Sequence, residues 1–585
     1  MTLKVLIIAI AASAQLLLAN AAEQLHWSLS PIKSVAVNDS EDPWIKNPVD
    51  HFVLAKLKKN NLKPQPEADR YTLMRRLHAG LTGILPTIKE INAFINNASS
   101  SAYTELVDDL LTDPHYGEKW ARHWLDVARF GESNGILTVN EDRIRNDAWK
   151  YRDAVINSFN NDLPFDLFVQ YQLNPRSNNI SAEYRELRQF IHLGTRLQNN
   201  ADPNDRQFHR LNDMVSTTGS AFLGFTFGCA RCHDHPVDPM STEEYYQFTA
   251  LFFDQFNENP IASSKRIPLR ITEPKVLING DWKSPGKSVS PGFLKVLMQK
   301  SANHWLSESN KMEGLGNWIT DTVNGSGQLL ARVIVNRLWH HHFGQGLVKT
   351  PNDFGEIGSE PTHPELLDWL SLELIKNNWK LSHIHKLILT SATYTQKNSS
   401  SPEYLNVDSD NKLLWHRKPL RLEAEIIRDR LLDVAGVLKK QMHGKSTPVG
   451  AYKKALPDLP NSWRRSIYLQ AHRSVHHPTL SLFNYPDTSA SVGSRSTSTG
   501  ESSTLFSLNS KFLWTLSKHF AERIKKESTQ DPNDRIEKAY MIALSRLPNE
   551  EEITIGMSIL NGQDDAKLTN FCQLIFGLNE FIYIH

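Results

Sequence analysis

A mainly α-helical protein, built as two helical domains joined by a proline-rich linker with a few short strands, is the architecture the sequence predicts. Apolar residues recur at helical spacing through both halves, whereas residues 258–300 gather Pro260, Pro268, Pro274, Pro285 and Pro291 among Ser, Lys and Gly. The chain of 585 residues is also longer than one hydrophobic core ordinarily serves. These observations divide it into a leader (residues 1–21), a first domain (22–262), a linker (263–311) and a second domain (312–585).

The leader reads as a secretory signal peptide: Lys4 is its positive end, Val5 to Leu18 is almost wholly apolar, and Ala19-Asn20-Ala21 fits a small-residue cleavage site. No later run approaches the roughly 18 apolar residues of a membrane span, so none is expected after cleavage. From Asn47 to Phe94 the spacing is helical, with Asp69 as an N-cap and Thr87 and Glu90 forming a capping box that opens a helix to Ile95. Tyr116 to Phe130 is amphipathic, with Trp120, Trp124, Val127 and Ala128 on one stripe and His123 beside it as a hydrogen-bonded core histidine. Ala148 to Phe159 repeats the pattern until Asn160-Asn161-Asp162-Leu163-Pro164 breaks it.

Within the linker, Pro268-Leu269-Arg270-Ile271 is a candidate strand. Beyond it, Gly327 to His342, Pro364 to Ile375, Leu381 to Leu389 and Arg421 to Val437 are helical. In the last of these, Arg421, Glu423, Glu425, Arg428, Asp429 and Arg430 are expected to pair with one another on one face. Ser489 to Thr504 reads as a loop or a flexible linker.

Lys and Arg number 65 against 64 Asp and Glu, a formal charge of +1 that removal of the leader reduces to neutral. Neither nucleic acid nor an anionic membrane is an expected partner. The chain has 3 cysteines, which excludes a disulfide scaffold. Two of them lie in Gly228-Cys229-Ala230-Arg231-Cys232-His233-Asp234-His235, the Cys-x-x-Cys-His signature of covalent haem attachment. Cys229 and Cys232 would form thioethers to one haem c, and His233 would be the proximal iron ligand. Met240 is a candidate distal ligand, with Met214, His209, His123 and His235 as alternatives. A zinc site of Cys229, Cys232, His233 and His235 would crowd four ligands into one turn, and no βαβ pattern supports a thioredoxin-like pair.

Trp339-His340-His341-His342-Phe343-Gly344 suggests metal, but consecutive helical residues point about 100° apart. At most His340 or His342 could join a site with His363; otherwise Gly344 ends the helix and the histidines face its carbonyl dipole.

The chain resembles the paired domains of unknown function found in planctomycete-type c cytochromes. The first is carried by Asn47-Pro48-Val49-Asp50-His51-Phe52, by Tyr116-Gly117-Glu118-Lys119-Trp120-Ala121-Arg122-His123-Trp124-Leu125-Asp126, by Tyr151-Arg152-Asp153 and by Gly228 to Pro239. The second is carried by Val335-Asn336-Arg337-Leu338-Trp339, Phe343 to Val348, Asn352-Asp353-Phe354-Gly355, His363 to Leu370 and Arg428-Asp429. Members often carry a further N-terminal cytochrome domain, which this sequence lacks, so the resemblance implies at most one haem. Pro236-Val237 replaces the family's usual Lys-Phe, altering the turn and sparing the ligands.

The expected function is electron transfer by an exported haem protein in a periplasmic or cell-surface oxidative pathway, with a redox partner protein. The alternative is a haem-linked oxidoreductase whose second domain holds the substrate through Arg337, Asn352, Asp353 and His363. A second alternative is a surface polysaccharide-binding or scaffold protein using Trp339, Trp369 and Trp463 as stacking platforms.

Overall fold

The computed structural model of the protein describes residues 25–585, apart from 38–40, 136–141, 175–179, 198–201, 256–272, 308–309, 400, 452–453, 498–505, 507–508 and 562–563. The leader at 1–21, the candidate strand at Pro268–Ile271 and linker residues 263–272 lie outside the described residues. Elsewhere the mainly helical architecture is borne out.

In the first segment α1 (Pro48–Lys59), α2 (Arg70–Leu81), α3 (Ile88–Asn96), α4 (Ala102–Thr112), α5 (Pro114–Val127), α6 (Trp149–Asn160), α7 (Phe165–Leu173), α8 (Pro203–Thr218) and α9 (Thr242–Leu251) follow in order. Their starts have local causes. Asn47 and Asp50 form a capping box at α1, the Asp69 carboxylate accepts from Thr72 N at 2.9 Å, and Thr87 with Glu90 closes the expected box at α3. After α5 the chain turns where Arg129 adopts φ 47°. The linker carries a short antiparallel pair, β1 (Lys275–Leu277) with β2 (Pro285–Ser288).

The second segment contains α10 (Lys311–Thr320), α11 (Gly327–Phe343), α12 (Pro364–Lys376), α13 (Leu381–Leu389), α14 (Ala424–Val434), α15 (Lys511–Glu527), α16 (Pro532–Leu544), α17 (Glu550–Ile559) and α18 (Asp565–Phe576). β3 (Leu420–Arg421) pairs not with β4 (Gly450–Ala451) or β5 (Lys454–Ala455), which pair with each other, but with β6 (Tyr583–Ile584) at the chain's end. That pairing ties down the residues just before α14.

One apolar cluster draws on both segments. Trp120, Trp124, Tyr151 and Phe222 from the first meet Leu330, Trp339, Leu370 and Ile388 from the second. Helices cross the sequence boundary to pack: α1 on α12 and α13, α4 on α13, and α7 on α10. A second cluster is built mainly from residues after Leu422, including Ile427, Leu516, Phe520, Ile536 and Phe571. The packing boundary inside the second segment therefore falls near α14, where the chain leaves the shared core.

Several polar side chains that cross between segments are buried, and these are paired as burial requires. The Asp50 carboxylate accepts from Ala392 N at 2.9 Å and from Thr393 N at 2.8 Å. The Arg465 guanidinium donates to Glu118 Oε2 at 2.5 Å, to Asp429 Oδ2 at 3.1 Å and to the Thr82 carbonyl at 2.9 Å. All three charged groups are almost without solvent exposure, at 3 % for Arg465, 1 % for Glu118 and 3 % for Asp429.

The charged helix differs from expectation. Glu425 accepts from Arg495 at 2.6 and 2.9 Å, Arg428 pairs with Asp458 at 2.8 Å, and Asp429 pairs with Arg465. The charges of α14 are buried among other elements and so find their partners there, rather than along one exposed face.

Replacing Arg465 with Met leaves two buried carboxylates without their shared cation. Destabilisation of about 3–5 kcal/mol is expected in equilibrium urea unfolding. A loss under about 1 kcal/mol would mean that the segments do not depend on this triad.

Candidate functional site

Two places in the fold concentrate chemistry. The first lies where α5 meets the end of α11 and the residues before α14. Lys119 and His123 are one helical turn apart on α5 and project on the same side. His341 sits in the last turn of α11, which Gly344 stops at φ 81° while its N–H donates to the His340 carbonyl at 2.7 Å. Glu423 is the residue before the first turn of α14, held near β3 and its pairing with β6.

His123 Nε2 lies 2.7 Å from Glu423 Oε1, and Lys119 Nζ donates to Glu423 Oε2 at 2.9 Å. Lys119 Nζ is also 2.8 Å from His123 Nε2. The imidazoles of His123 and His341 stack with centroids 3.5 Å apart and planes 4° from parallel. Trp120 meets both edge-on, at 4.9 Å from His123 and 5.8 Å from His341. Burial holds both histidines below their ordinary pKa despite Glu423, which keeps them neutral. Burial alone would raise Glu423, but His123 and Lys119 hold it well below the usual carboxylate range. Behind it Arg495 pairs with Asp126 at 2.6 Å and with Glu425, and Arg122 also bonds Asp126.

His341 and Glu423 open on two cavities. The larger encloses about 1440 Å³ of free space, open solvent included, between Trp339, His340, Gln345, Asn411, Lys412, His416, Lys418, Arg421, Ser494 and Arg495. The smaller, about 470 Å³, is bordered by Arg76, Lys119, His342, Tyr394 and Arg417. His340 and His416 face the larger one, each with a buried Nδ1 that lacks a hydrogen-bond partner.

Other residues singled out from the sequence are placed differently. His342 Nε2 lies 2.8 Å from His385 Nδ1, and His363 Nδ1 lies 3.1 Å from Thr362 Oγ1, so neither joins His340. Among the described residues, the donors grouped closely enough to share an ion are His123, His341 and Glu423. Arg337 donates to the Ser220 carbonyl at 2.8 Å, Asn352 faces Ser491, and Asp353 lies beside His235 and Asp238. With His363 just ahead of α12, these four do not form one substrate site. Trp339, Trp369 and Trp463 are buried at 1 %, 8 % and 6 % exposure, so they cannot serve as exposed stacking platforms. Core packing takes their faces.

The second place is the cysteine motif. α8 runs into one π-turn at Gly219–Leu223, and Gly224 then reverses the chain at φ 62°, with its carbonyl accepting from Phe354 N at 2.6 Å. Cys229 and Cys232 bracket a single 3₁₀ turn, and both thiols are free and exposed. His233 is exposed, and its Nδ1 donates to the Asp234 carbonyl at 2.7 Å, which leaves Nε2 as the lone-pair nitrogen. Gly280, at φ 72°, brings bare backbone against Cys232, where a Cβ would lie 2.9 Å from Sγ.

Arg231 borders a cavity of about 980 Å³, open solvent included, between α8, α9 and the linker, with Phe208, His209, Leu211, Tyr245, Tyr246 and Trp282 in its wall. His235 is turned inward: its Nδ1 accepts from Asp238 N at 2.9 Å, and its backbone N–H donates to the Met240 carbonyl at 2.8 Å. Asp238 in turn accepts from Glu356 N at 2.8 Å, docking the motif on the second segment. The Met240 side chain is packed in the first apolar cluster. Cys572 is buried in the second cluster, and burial pushes its thiol pKa up.

Residues 48–257 match the family model PSCyt2, described as a protein of unknown function (DUF1549). Residues 312–560 match PSD1, described as a protein of unknown function (DUF1553). No curated protein and no solved structure matches the chain. Among the described residues, no helix is long and apolar enough to cross a membrane.

Three further buried histidines set an acid limit on the fold. Burial pushes His78 down to about 4 and His363 and His385 to about 3, from an ordinary 6.5. Above 6.5 both folded and unfolded chains hold them neutral. Below it the unfolded chain takes up protons that the folded chain refuses, so each histidine lowers stability by up to about 1.4 kcal/mol per pH unit until its folded value is reached. The melting temperature should be level above pH 7 and fall steadily from 6.5 toward 4. A level profile between 6.5 and 5 would mean these rings become protonated in place.

Proposed function

We propose that the protein is exported to the periplasm or cell surface and carries one haem c, joined to Cys229 and Cys232, through which it exchanges single electrons with a redox partner. The observation that carries this reading is the set of donors at residues 229–233: two free exposed thiols on one 3₁₀ turn and an imidazole whose Nε2 is left open by the Nδ1 bond to Asp234. Two thioether-forming thiols and one iron-binding nitrogen are what covalent haem attachment requires. Haem bound there would supply a one-electron ferric and ferrous couple.

The chain's own residues have definite tasks under this proposal. His233 donates its Nδ1 proton to a backbone carbonyl, which orients the ring and raises the basicity of Nε2. Tyr245, Tyr246, Trp282 and Leu211 offer apolar surface that would exclude water beside the motif, and Arg231 offers a cation for a carboxylate group. The same wall presents His209 as a second imidazole. Met240 is committed to the core, which favours His209 over it as a distal ligand. Two histidine ligands would give a lower potential than histidine with methionine.

A second reading, an oxidoreductase with its substrate in the second segment, is favoured by the cleft lined with Lys412, Lys418, Arg421 and Arg495. An anionic substrate suits those cations.

Produced in a host that matures c-type haem, the denatured protein should keep one haem by mass and give a pyridine haemochrome spectrum. Cys229→Ser with Cys232→Ser should lose both. Reduced protein that binds carbon monoxide stoichiometrically would select the oxidoreductase over the carrier, and a colourless protein holding zinc that the double cysteine variant loses would end both readings.

A further inference from the structure

We propose that His123, His341 and Glu423 form a binding site for one divalent transition-metal ion of the zinc or ferrous class, entered from the cleft at the end of α11. The site is separate from the cysteine motif and does not rest on haem being present.

One donor atom from each of the three residues lies within 4.8 Å of the others, close enough for a single ion to bridge them. Two imidazoles and one carboxylate are borderline donors that suit zinc, cobalt or ferrous iron; calcium and magnesium prefer oxygen alone. Three protein ligands also leave positions for water or substrate, the arrangement of catalytic metal sites. His341 and Glu423 face the larger cleft, so an ion and a small ligand have a way in.

The contacts at His123 also point to a cation. Its Nε2 lies 2.7 Å from a carboxylate oxygen, which seeks a proton, and 2.8 Å from the Lys119 ammonium, which offers one. A neutral imidazole nitrogen can donate or accept, but it cannot do both. An ion bound by Nε2 and Glu423 satisfies both groups at once. Lys119 Nζ takes the cation's place between Nε2 and Glu423 Oε2. Parallel stacked rings hold their in-plane lone pairs in two separate parallel planes, so one ring must swing out of the stack to share the ion. His341 borders both cavities and has the room to do so. Trp120, edge-on to both rings, is a rigid wall behind them.

The test uses the full mature chain, stripped with chelator and titrated with zinc, read by calorimetry and by metal content after desalting. One ion per chain is expected. Glu423→Gln and His341→Ala should each weaken binding at least tenfold, whereas Cys229→Ser with Cys232→Ser should leave it unchanged. Lys119→Met removes the competing ammonium and should tighten binding about tenfold. A purely structural role for Lys119 would not produce that gain. Absence of zinc binding in the folded parent chain overturns the proposal. So does binding that the cysteine variant loses while folded His341→Ala and Lys119→Met keep it at parental strength.

Discussion

The buried triad of Arg465, Glu118 and Asp429 is the constraint on which much of the structure depends. Charges in a water-poor seam must be matched, because removing one partner leaves the other uncompensated at a cost far above that of an exposed ion pair. Glu118 belongs to α5, Asp429 to α14, and Arg465 to a loop that reaches both. Satisfying Arg465 therefore sets α5 against α14. The same two helices place Lys119 and His123 opposite Glu423.

Such a seam is a poor source of net stability, since desolvation offsets most of the attraction. Its value lies in specificity. Apolar faces such as those of Trp120 or Leu330 would tolerate several registers, whereas Arg465 bonding Thr82, Glu118 and Asp429 at once tolerates one. Asp50 acts likewise at the other end, where three donors from Ala392 and Thr393 converge on its carboxylate. A cluster suited to an ion is thus assembled from residues 300 positions apart by contacts whose first role is to define the fold.

Local structure was legible in the sequence because its causes are local. The Thr87 and Glu90 capping box, the Gly344 stop and the stripe of Trp120 and Trp124 all act within one or two turns. The cysteine motif was legible for the same reason. What spacing cannot reveal is which distant element a side chain meets. His341 reads as one of three helical histidines, and its stacking on His123 depends on how α5 and α11 cross. Glu423 and Glu425 read as members of a self-paired helix face, yet their partners are Lys119, Arg122 and Arg495. One signal was present: six charges between Arg421 and Arg430, in a stretch that continues through Ile426, Ile427, Leu431 and Leu432, leave too little polar surface for all of them to be exposed.

The two segments are interlocked and form one cooperative unit around this seam. Hydrogen exchange followed by mass spectrometry across a denaturant series tests it most directly, because it reads each helix separately. Interlocking predicts that α5 from the first segment and α11 and α12 from the second lose protection together, at the same denaturant concentration. Loss of protection throughout residues 48–255 while α11 and α12 stay protected, or the reverse, would contradict it.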